Sequence, residues 1–377
     1  MFALTHIIIS MKKWVLPTAF MFGTAPTFII LWAGWRVLTI FLPSRIYERG
    51  DDWLYSMYQR MVLFFFENMT ALQVFISGDV DCLDKKENII LLMNHQCAVD
   101  WMVADMLAAR QGTIGHIRYI LKDELKYVPL YGFYFRQHSC IYVKRGGKFR
   151  QEKAIGQLDI LNNSKTPFWM VVFPEGTRYD PAATDKIQKS QQYAHDQASF
   201  DGILIISGLD VLVNVLTPRS KAMFLCCDRL RNRTDAIYDV TIAYSDTLDP
   251  STKQRIPAPG LVGFLKGGYN QLHVNIERVS LSEVPEKEED VKVWLHKRFV
   301  RKDNLLKRFY SSDSSTAGTL SDKEERHPLT GGETLPAFLF WFAINIPLLL
   351  TMDGRAFYWR ATLLGTVLGW IWVSLRF

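Results

Sequence analysis

Hydrophobic and polar positions along this chain follow two patterns. Through the middle, short apolar runs stop abruptly at polar, proline or charged residues: Ile89–Met93 before Asn94, Ile117–Leu121, Ile141–Val143 before Lys144, Phe168–Phe173 before Pro174, Val211–Leu216 before Thr217 and Pro218, Val240–Tyr244 and Leu272–Ile276. Their length and composition predict strands. Between them, helix-spaced apolar positions predict helices near Trp101–Arg110, Glu152–Asn162 and Val291–Tyr310. Strands that alternate with helices predict an α/β domain, a layered mixed sheet flanked by helices.

Towards both ends the apolar positions become continuous. Trp14 to Trp35 carries no charge and lies between Lys12-Lys13 and Arg36; it is long enough to cross a bilayer, with kinks at Pro17 and Pro26. It is too long for a signal peptide and lacks a clean cleavage site. A helix pair dipping into one leaflet is the alternative, and the aromatic-rich stretch Trp53–Phe66 suits a membrane interface. Leu335–Met352 is uncharged, and after Asp353-Gly354-Arg355 a second apolar stretch runs from Phe357 towards Leu375, which predicts a C-terminal transmembrane hairpin with Arg360 snorkelling to the headgroups. Ser311–Glu333 is polar and reads as a linker. The expected organisation is an N-terminal anchor with an interfacial helix over 1–70, a catalytic domain over 71–310, the linker over 311–334 and the hairpin over 335–377.

The strand ends carry the candidate chemistry, since open sheets place ligands where the chain leaves the carboxyl ends of their strands. His95 follows Ile89–Met93, and Asp100 is placed in the first turn of the next helix, where backbone amides favour an ionised carboxylate. A carboxylate bonded to one ring nitrogen fixes the tautomer and leaves the other nitrogen to take a proton. Of the eight histidines, only His95 has an aspartate at this offset. The plain alternative is a turn residue and a helix N-cap that never meet. At the next strand end, Pro174 and Gly176 force a tight turn that exposes backbone amides, beside which Thr177 offers a hydroxyl and Arg178 a guanidinium able to grip two phosphate oxygens. Lys144 and Arg145, before Gly146-Gly147, are either a second pair of phosphate cations or a solvated strand end. Pro218 and Arg219 repeat the arrangement of apolar run, proline stop and cation.

These strand ends, taken in order, resemble the four sequence blocks of the glycerolipid acyltransferase superfamily. Asn94, His95 and Asp100 match the first block, Ile141–Arg145 the second, Phe173–Arg178 the third without change, and Leu216–Arg219 the fourth. The strings AVDWMVAD, VPLYG, IYVKR, FPEGTRY, VLTPR and DAIYDVT are similar to the epsilon branch of the 1-acyl-sn-glycerol-3-phosphate acyltransferases and to lysocardiolipin acyltransferases, from about Trp14 to the C-terminus. The chain departs from the pattern at Ser139-Cys140, where many relatives carry glycine, and at 198–207, which reads as an insertion able to form an extra strand or buried turn.

The resemblance implies transfer of a fatty acyl group from acyl-CoA, a co-substrate rather than a bound cofactor, to the sn-2 hydroxyl of a lysophospholipid. Lysophosphatidate is the first choice of acceptor, giving phosphatidic acid for phospholipid synthesis; remodelling of lysocardiolipin or lysophosphatidylinositol is the alternative. His95 is then the base and Asp100 its orienting acid. Lys144, Arg145, Glu175, Gly176, Thr177 and Arg178 form the phosphate site, with Glu175 ordering the turn, and Pro218 and Arg219 close the fourth block. The family also implies a membrane of the endoplasmic reticulum or the outer surface of mitochondria.

Composition narrows the alternatives. With 49% hydrophobic residues over 377, the chain can fill a core and still spend apolar surface on lipid. A net charge of +6 suits anionic lipid surfaces or phosphate-bearing substrates. No clustered basic face with interleaved aromatics points to nucleic acid, and the basic run Lys297–Lys307 reads as an exposed helix flank. The five cysteines, including Cys226-Cys227, form neither a disulfide framework nor metal-ligand spacing, and Cys97 reads as a small packing residue. A membrane esterase would need a serine on a Gly-x-Ser-x-Gly elbow, which the chain lacks. A lipid-binding protein that has lost turnover is the non-enzymatic rival.

Overall fold

The structure is a computed structural model that describes residues 5, 9–144, 151–201, 211–249, 251, 252, 254–311 and 317–376. Arg145 and residues 202–207 of the expected insertion lie outside the described residues; residues 198–201 end the helix Thr184–Asp201. The strands are β1 Gln73–Gly78, β2 Ile89–Met93, β3 Ile117–Lys122, β4 Ile141–Val143, β5 Trp169–Val172, β6 Ala236–Tyr244, β7 Gln271–Ser280 and β8 Glu325–Arg326. The chain divides into two compact units, one of 1–71, 105–170 and 329–377, the other of 72–104 and 171–328.

In the first unit, β3 and β4 pair in parallel, with Ile120 opposite Ile141. Two of its helices, Met11–Leu38 and Gly331–Leu350, are long and apolar enough to cross a membrane. They meet through polar side chains: the Thr27 hydroxyl donates to Asn345 Oδ1 at 2.9 Å, a contact that satisfies both groups where water is absent. The second arm of the expected hairpin is the helix Met352–Arg376, and among the described residues it is not one of the spanning candidates. Asp353, Arg355 and Arg360 charge its first turns. Its far end packs on the helix Tyr131–Gln137, with the Phe133 and Trp372 rings 5.0 Å apart and Trp370 Nε1 donating to the Tyr127 carbonyl at 2.9 Å.

The interfacial stretch is part of the helix Ser44–Leu63, and its Asp51 and Asp52 are buried. Both acids are paired: His138 Nδ1 donates to Asp51 at 2.6 Å, and Arg118 donates to Asp52 Oδ1 at 2.7 Å and to His138 Nε2 at 2.7 Å. Asp51, Asp52 and His138 are close enough together to share a cation, and the Arg118 guanidinium already supplies that charge. Burial and Arg118 push the imidazole's pKa down, so His138 is held neutral between them.

In the second unit the sheet order is β2-β6-β7-β1-β8. β2 and β6 run parallel, β6 and β7 antiparallel, β7 and β1 parallel, and β1 and β8 antiparallel. This is the mixed sheet that the sequence predicts. β1 and β8 are additions to the predicted strands. β8 lies inside the expected linker, where the His327 amide also bonds the Val74 carbonyl, so that stretch is tied to the sheet rather than loose. β2 is buried at every position and β6 at every position, as strands covered on both faces require. Helices Ser220–Leu230 and Glu288–Phe309 pack with it.

Val211–Leu216 is not a strand. Its amides are taken by carboxylates instead of a neighbouring strand: Asp303 Oδ1 accepts from Val213 and Asn214, and Glu175 Oε2 accepts from Leu216 at 2.8 Å. A strand ladder needs those donors for a partner backbone, so the segment stays irregular despite its apolar side chains.

Candidate active site

β2 ends at Met93, and the three residues after it leave the sheet in no regular element. Asn94 and Gln96 both turn towards β6. The Asn94 side-chain amide exchanges two hydrogen bonds with the Ile242 backbone, 2.8 and 3.1 Å, and Gln96 Nε2 donates to the Ile242 carbonyl at 2.6 Å. Asn94 and Gln96 are held buried by these bonds, while His95 between them stays part-exposed. Its imidazole is 17% exposed and lies 4.6 Å from the Phe173 ring.

His95 Nδ1 and Asp100 Oδ2 are 2.8 Å apart, so the two residues meet. Asp100 lies immediately before the helix Trp101–Gln111 rather than in its first turn, and its carboxylate points back along the chain. Besides the imidazole, it accepts the amides of Gln96 at 2.6 Å and Cys97 at 2.9 Å, the Cys97 thiol at 2.9 Å and the Tyr244 hydroxyl at 2.7 Å. Burial by itself raises the pKa of Asp100, and the bonds from His95 and Cys97 outweigh it, holding the carboxyl below its usual range. A fully buried anion with this many donors is fixed in place. It therefore holds a proton on His95 Nδ1 and leaves Nε2 as the acceptor. Burial and the neighbouring Asp100 drive the Cys97 thiol well up, which keeps it from acting as a thiolate.

The third block closes as a turn in which the Gly176 amide donates to the Phe173 carbonyl at 3.1 Å and Gly176 takes φ +69°, a left-handed conformation that favours glycine. That amide is spent on the turn, so it is not open to phosphate as expected from the sequence. Glu175, expected to order the turn within the phosphate site, is committed to backbone donors. It is buried, Oε1 accepts the His95 amide at 2.6 Å, and Oε2 accepts the Leu216 amide. A buried carboxyl group whose two oxygens are committed to backbone donors is not turned to a phosphate. Burial pushes its pKa up to about 8 against the pull of the two amides.

Arg178 is exposed and Thr177 half-exposed on the same turn. Arg219 joins them: its amide donates to the Pro174 carbonyl at 2.9 Å, and its Cδ lies 3.8 Å from where a Cβ on Gly176 would sit. Pro218 is buried beside it. The turn thus brings together two exposed guanidiniums, a hydroxyl and the His95 segment, because the Tyr179 amide donates to the His95 carbonyl at 2.8 Å. Lys144 belongs to the other unit, where with Lys126, Lys153, Tyr142 and Gln157 it lines a cleft of about 400 Å³.

Four supports escape sequence reasoning. Tyr244 reaches Asp100 from β6. Lys302 and Asp303, adjacent on the helix Glu288–Phe309, hold opposite sides of the site: Lys302 Nζ donates to the carbonyls of Val240 at 2.6 Å and Leu92 at 3.3 Å, and Asp303 binds the 213–214 amides. Lys302 also pairs with Asp239. Arg255 reaches Gln96 at 2.8 Å. In the sequence all four are separated from the blocks by tens of residues, and none stands in a motif.

Comparison with known proteins gives the following. A family model described as Acyltransferase matches residues 70–224, and one described as Acyltransferase C-terminus matches residues 263–341. The chain is 44% identical over 365 residues to 1-acyl-sn-glycerol-3-phosphate acyltransferase epsilon of Mus musculus, covering 97% of this chain and 96% of that protein. It is 33% identical to a probable 1-acyl-sn-glycerol-3-phosphate acyltransferase 5 of Arabidopsis thaliana over 77% of this chain and 71% of that one, and 27% identical to lysocardiolipin acyltransferase 1 of Mus musculus over 66% and 61%. Among solved structures, the crystal structure of PlsC, the 1-acyl-sn-glycerophosphate acyltransferase of Thermotoga maritima, matches at 18% identity and a TM-score of 0.42, covering 80% of this chain and all of that one.

Proposed function

The chain belongs to the 1-acyl-sn-glycerol-3-phosphate acyltransferase family, and on that premise we propose how its second unit carries out acyl transfer. The chain is an acyltransferase that acylates lysophosphatidic acid in phospholipid synthesis. The acyl donor of this family is acyl-CoA, a co-substrate. His95 Nε2 takes the proton of the sn-2 hydroxyl as that oxygen attacks the thioester carbonyl. The carbonyl re-forms, the carbon–sulfur bond breaks, and the imidazolium returns the proton to the departing CoA sulfur. The products are phosphatidic acid and CoA, and no acyl-enzyme forms. Asp100 stabilises the imidazolium while it exists.

Arg178 and Arg219, with the Thr177 hydroxyl, hold the acceptor's phosphate so that its hydroxyl stays within reach of His95. Glu175 carries no substrate contact in this reading; it keeps the third-block turn, the fourth block and the His95 backbone in one arrangement. The observation that carries the proposal is the 2.8 Å contact between the part-exposed His95 and the fully buried Asp100. Two apolar helices associate the chain with a membrane. The compartment we propose is the endoplasmic reticulum, with the mitochondrial outer membrane as alternative.

Membranes containing the protein, given labelled acyl-CoA and a panel of lysophospholipids, test this directly. Labelled phosphatidic acid is expected from lysophosphatidate, and none from His95→Ala at equal expression. General-base assistance contributes ~10²–10⁴-fold, so wild-type turnover in that variant would sink the mechanism. Labelled free fatty acid as the main product would indicate an esterase, and preferential product from lysocardiolipin or lysophosphatidylinositol would make the chain a remodelling enzyme.

A further inference from the structure

Arg255 stands opposite Leu248 on a short antiparallel bridge that follows β6, and its side chain reaches back over the ends of three sequence blocks within the second unit. Nη2 donates to Gln96 Oε1 at 2.8 Å. Nη1 donates to the Asn214 carbonyl at 3.1 Å and to Asn214 Oδ1 at 3.2 Å. The guanidinium carbon also lies over two aromatic rings, 4.0 Å from the centroid of Tyr310 and 4.5 Å from that of Tyr179. Tyr179 follows the third block directly, and Tyr310 comes just after the helix Glu288–Phe309. The Tyr310 hydroxyl adds a bond to the same Gln96 oxygen at 3.3 Å.

Both residues that Arg255 grips lead to His95. Gln96 is the next residue along, and its amide donates to the Asp100 oxygen that also bonds the imidazole. Asn214 precedes Leu216 by two residues, and the Leu216 amide is bound by Glu175, whose other oxygen binds the His95 amide. One route fixes the ring of His95 and the other its backbone. We propose that Arg255 is a positioning residue of the acyl transfer, a planar clamp that sets the orientation of His95 through Gln96 and Asn214. Its role is support rather than phosphate contact, because Nη1 and Nη2 donate to Asn214 and Gln96. Lysine cannot replace it fully, because an ammonium has neither the fork that serves two acceptors nor the planar cation that lies over the tyrosine rings. The inference rests on the reading of His95 as the base.

Steady-state kinetics of Arg255→Ala, Arg255→Lys, Gln96→Ala and the double variant R255A/Q96A, with His95→Ala as control, test it on the full-length protein in membranes. A misplacement of a catalytic group by about 1 Å costs ~10²-fold, so kcat is expected to fall about 10- to 100-fold in Arg255→Ala while the KM values for acceptor and acyl-CoA stay within about twofold. Loss of a residue that only stabilises the fold would lower the amount of folded protein and leave kcat per folded enzyme unchanged. Arg255→Lys keeps the charge and is expected to lie between wild type and Arg255→Ala, and it decides the matter if Arg255→Ala fails to fold. The double variant is expected to lose no more than the worse single one, since both act on one chain of contacts. Unchanged kcat in the folded Arg255 variants would overturn the proposal, as would a raised acceptor KM at constant kcat, or losses that multiply in the double variant. A silent Arg255 with an inactive His95→Ala removes this inference alone; an active His95→Ala removes the base assignment beneath it.

Discussion

Glu175 holds His95 by the backbone and not by the ring: Glu175 Oε1 accepts the His95 amide at 2.6 Å, while the imidazole is held by Asp100 at 2.8 Å. The third block therefore sets where the base stands, and the first block sets which way it faces. The same Glu175 carboxylate takes the Leu216 amide, so one buried side chain ties three blocks that are far apart in the chain.

Glu175→Gln leaves one carbonyl oxygen for two amide donors and turns an NH2 group towards one of them. An unsatisfied buried donor costs ~1–3 kcal/mol, so the expected outcome is a lower melting temperature together with reduced kcat, read by thermal unfolding in detergent and by turnover. A wild-type melting temperature would show that the amides find other partners. The pH dependence has a definite sign. The pKa of Glu175 in the folded protein is about 8, above its ordinary value of 4.5, because burial disfavours the charge. The folded state thus holds the proton more tightly than the unfolded state, and this group's contribution is complete below about 4.5 and lost as pH rises towards about 8. Glu175→Gln is expected to flatten the stability curve across that window.

Tyr244→Phe removes the hydroxyl that donates to Asp100 Oδ1 at 2.7 Å and leaves the His95 contact, on Oδ2, in place. The buried carboxylate is then held by one donor fewer, and kcat is expected to fall about 10- to 100-fold, the scale of one hydrogen bond to a charged group. Wild-type turnover would show that Asp100 keeps its hold on His95 without Tyr244.

Arg178→Ala and Arg219→Ala are each expected to raise the acceptor KM by about tenfold or more, the scale of a charge-assisted hydrogen bond, with kcat for saturating lysophosphatidate little changed. The two guanidiniums flank one glycine turn, so the double variant should show coupling in KM. Titration with lysophosphatidate at fixed acyl-CoA reads both. Acceptor dependence identical to wild type in either variant would remove that arginine from the phosphate site.

Gly176→Ala isolates backbone strain from crowding. The added Cβ would meet Arg219 Cδ at 3.8 Å, an ordinary contact, but φ +69° is a left-handed conformation that an L-residue adopts at a cost of roughly 1–2 kcal/mol. Stability is expected to fall by about that amount, with a loss of turnover as the turn shifts Glu175 and Arg178. An unfolding midpoint equal to wild type would mean that the turn relaxes without penalty.

The sequence by itself determined the elements and the chemistry that sit next to each other along the chain. Apolar runs of strand length located β2, β3, β4, β5, β6 and β7, because a buried strand must be apolar wherever it is covered. The His95–Asp100 spacing pointed to two side chains that meet because both lie on one local turn, and continuous apolar stretches marked Met11–Leu38 and Gly331–Leu350. Only the tertiary structure decided which backbone amides are free. Val211–Leu216 has the side chains of a strand, yet Asp303 and Glu175 take its donors and leave it irregular. Glu175 looks in sequence like part of an anion-binding turn, whereas its burial and two amide partners make it a brace for the base. The second arm of the C-terminal hairpin has apolar residues enough for lipid, but its charged first turns and its packing through Trp372 and Trp370 set it apart from the two spanning candidates. Tyr244, Lys302, Asp303 and Arg255 join the site because the sheet and the helix behind it bring them there. Hydrogen-bond partners chosen across such distances in the chain leave no periodicity or spacing for a sequence to display.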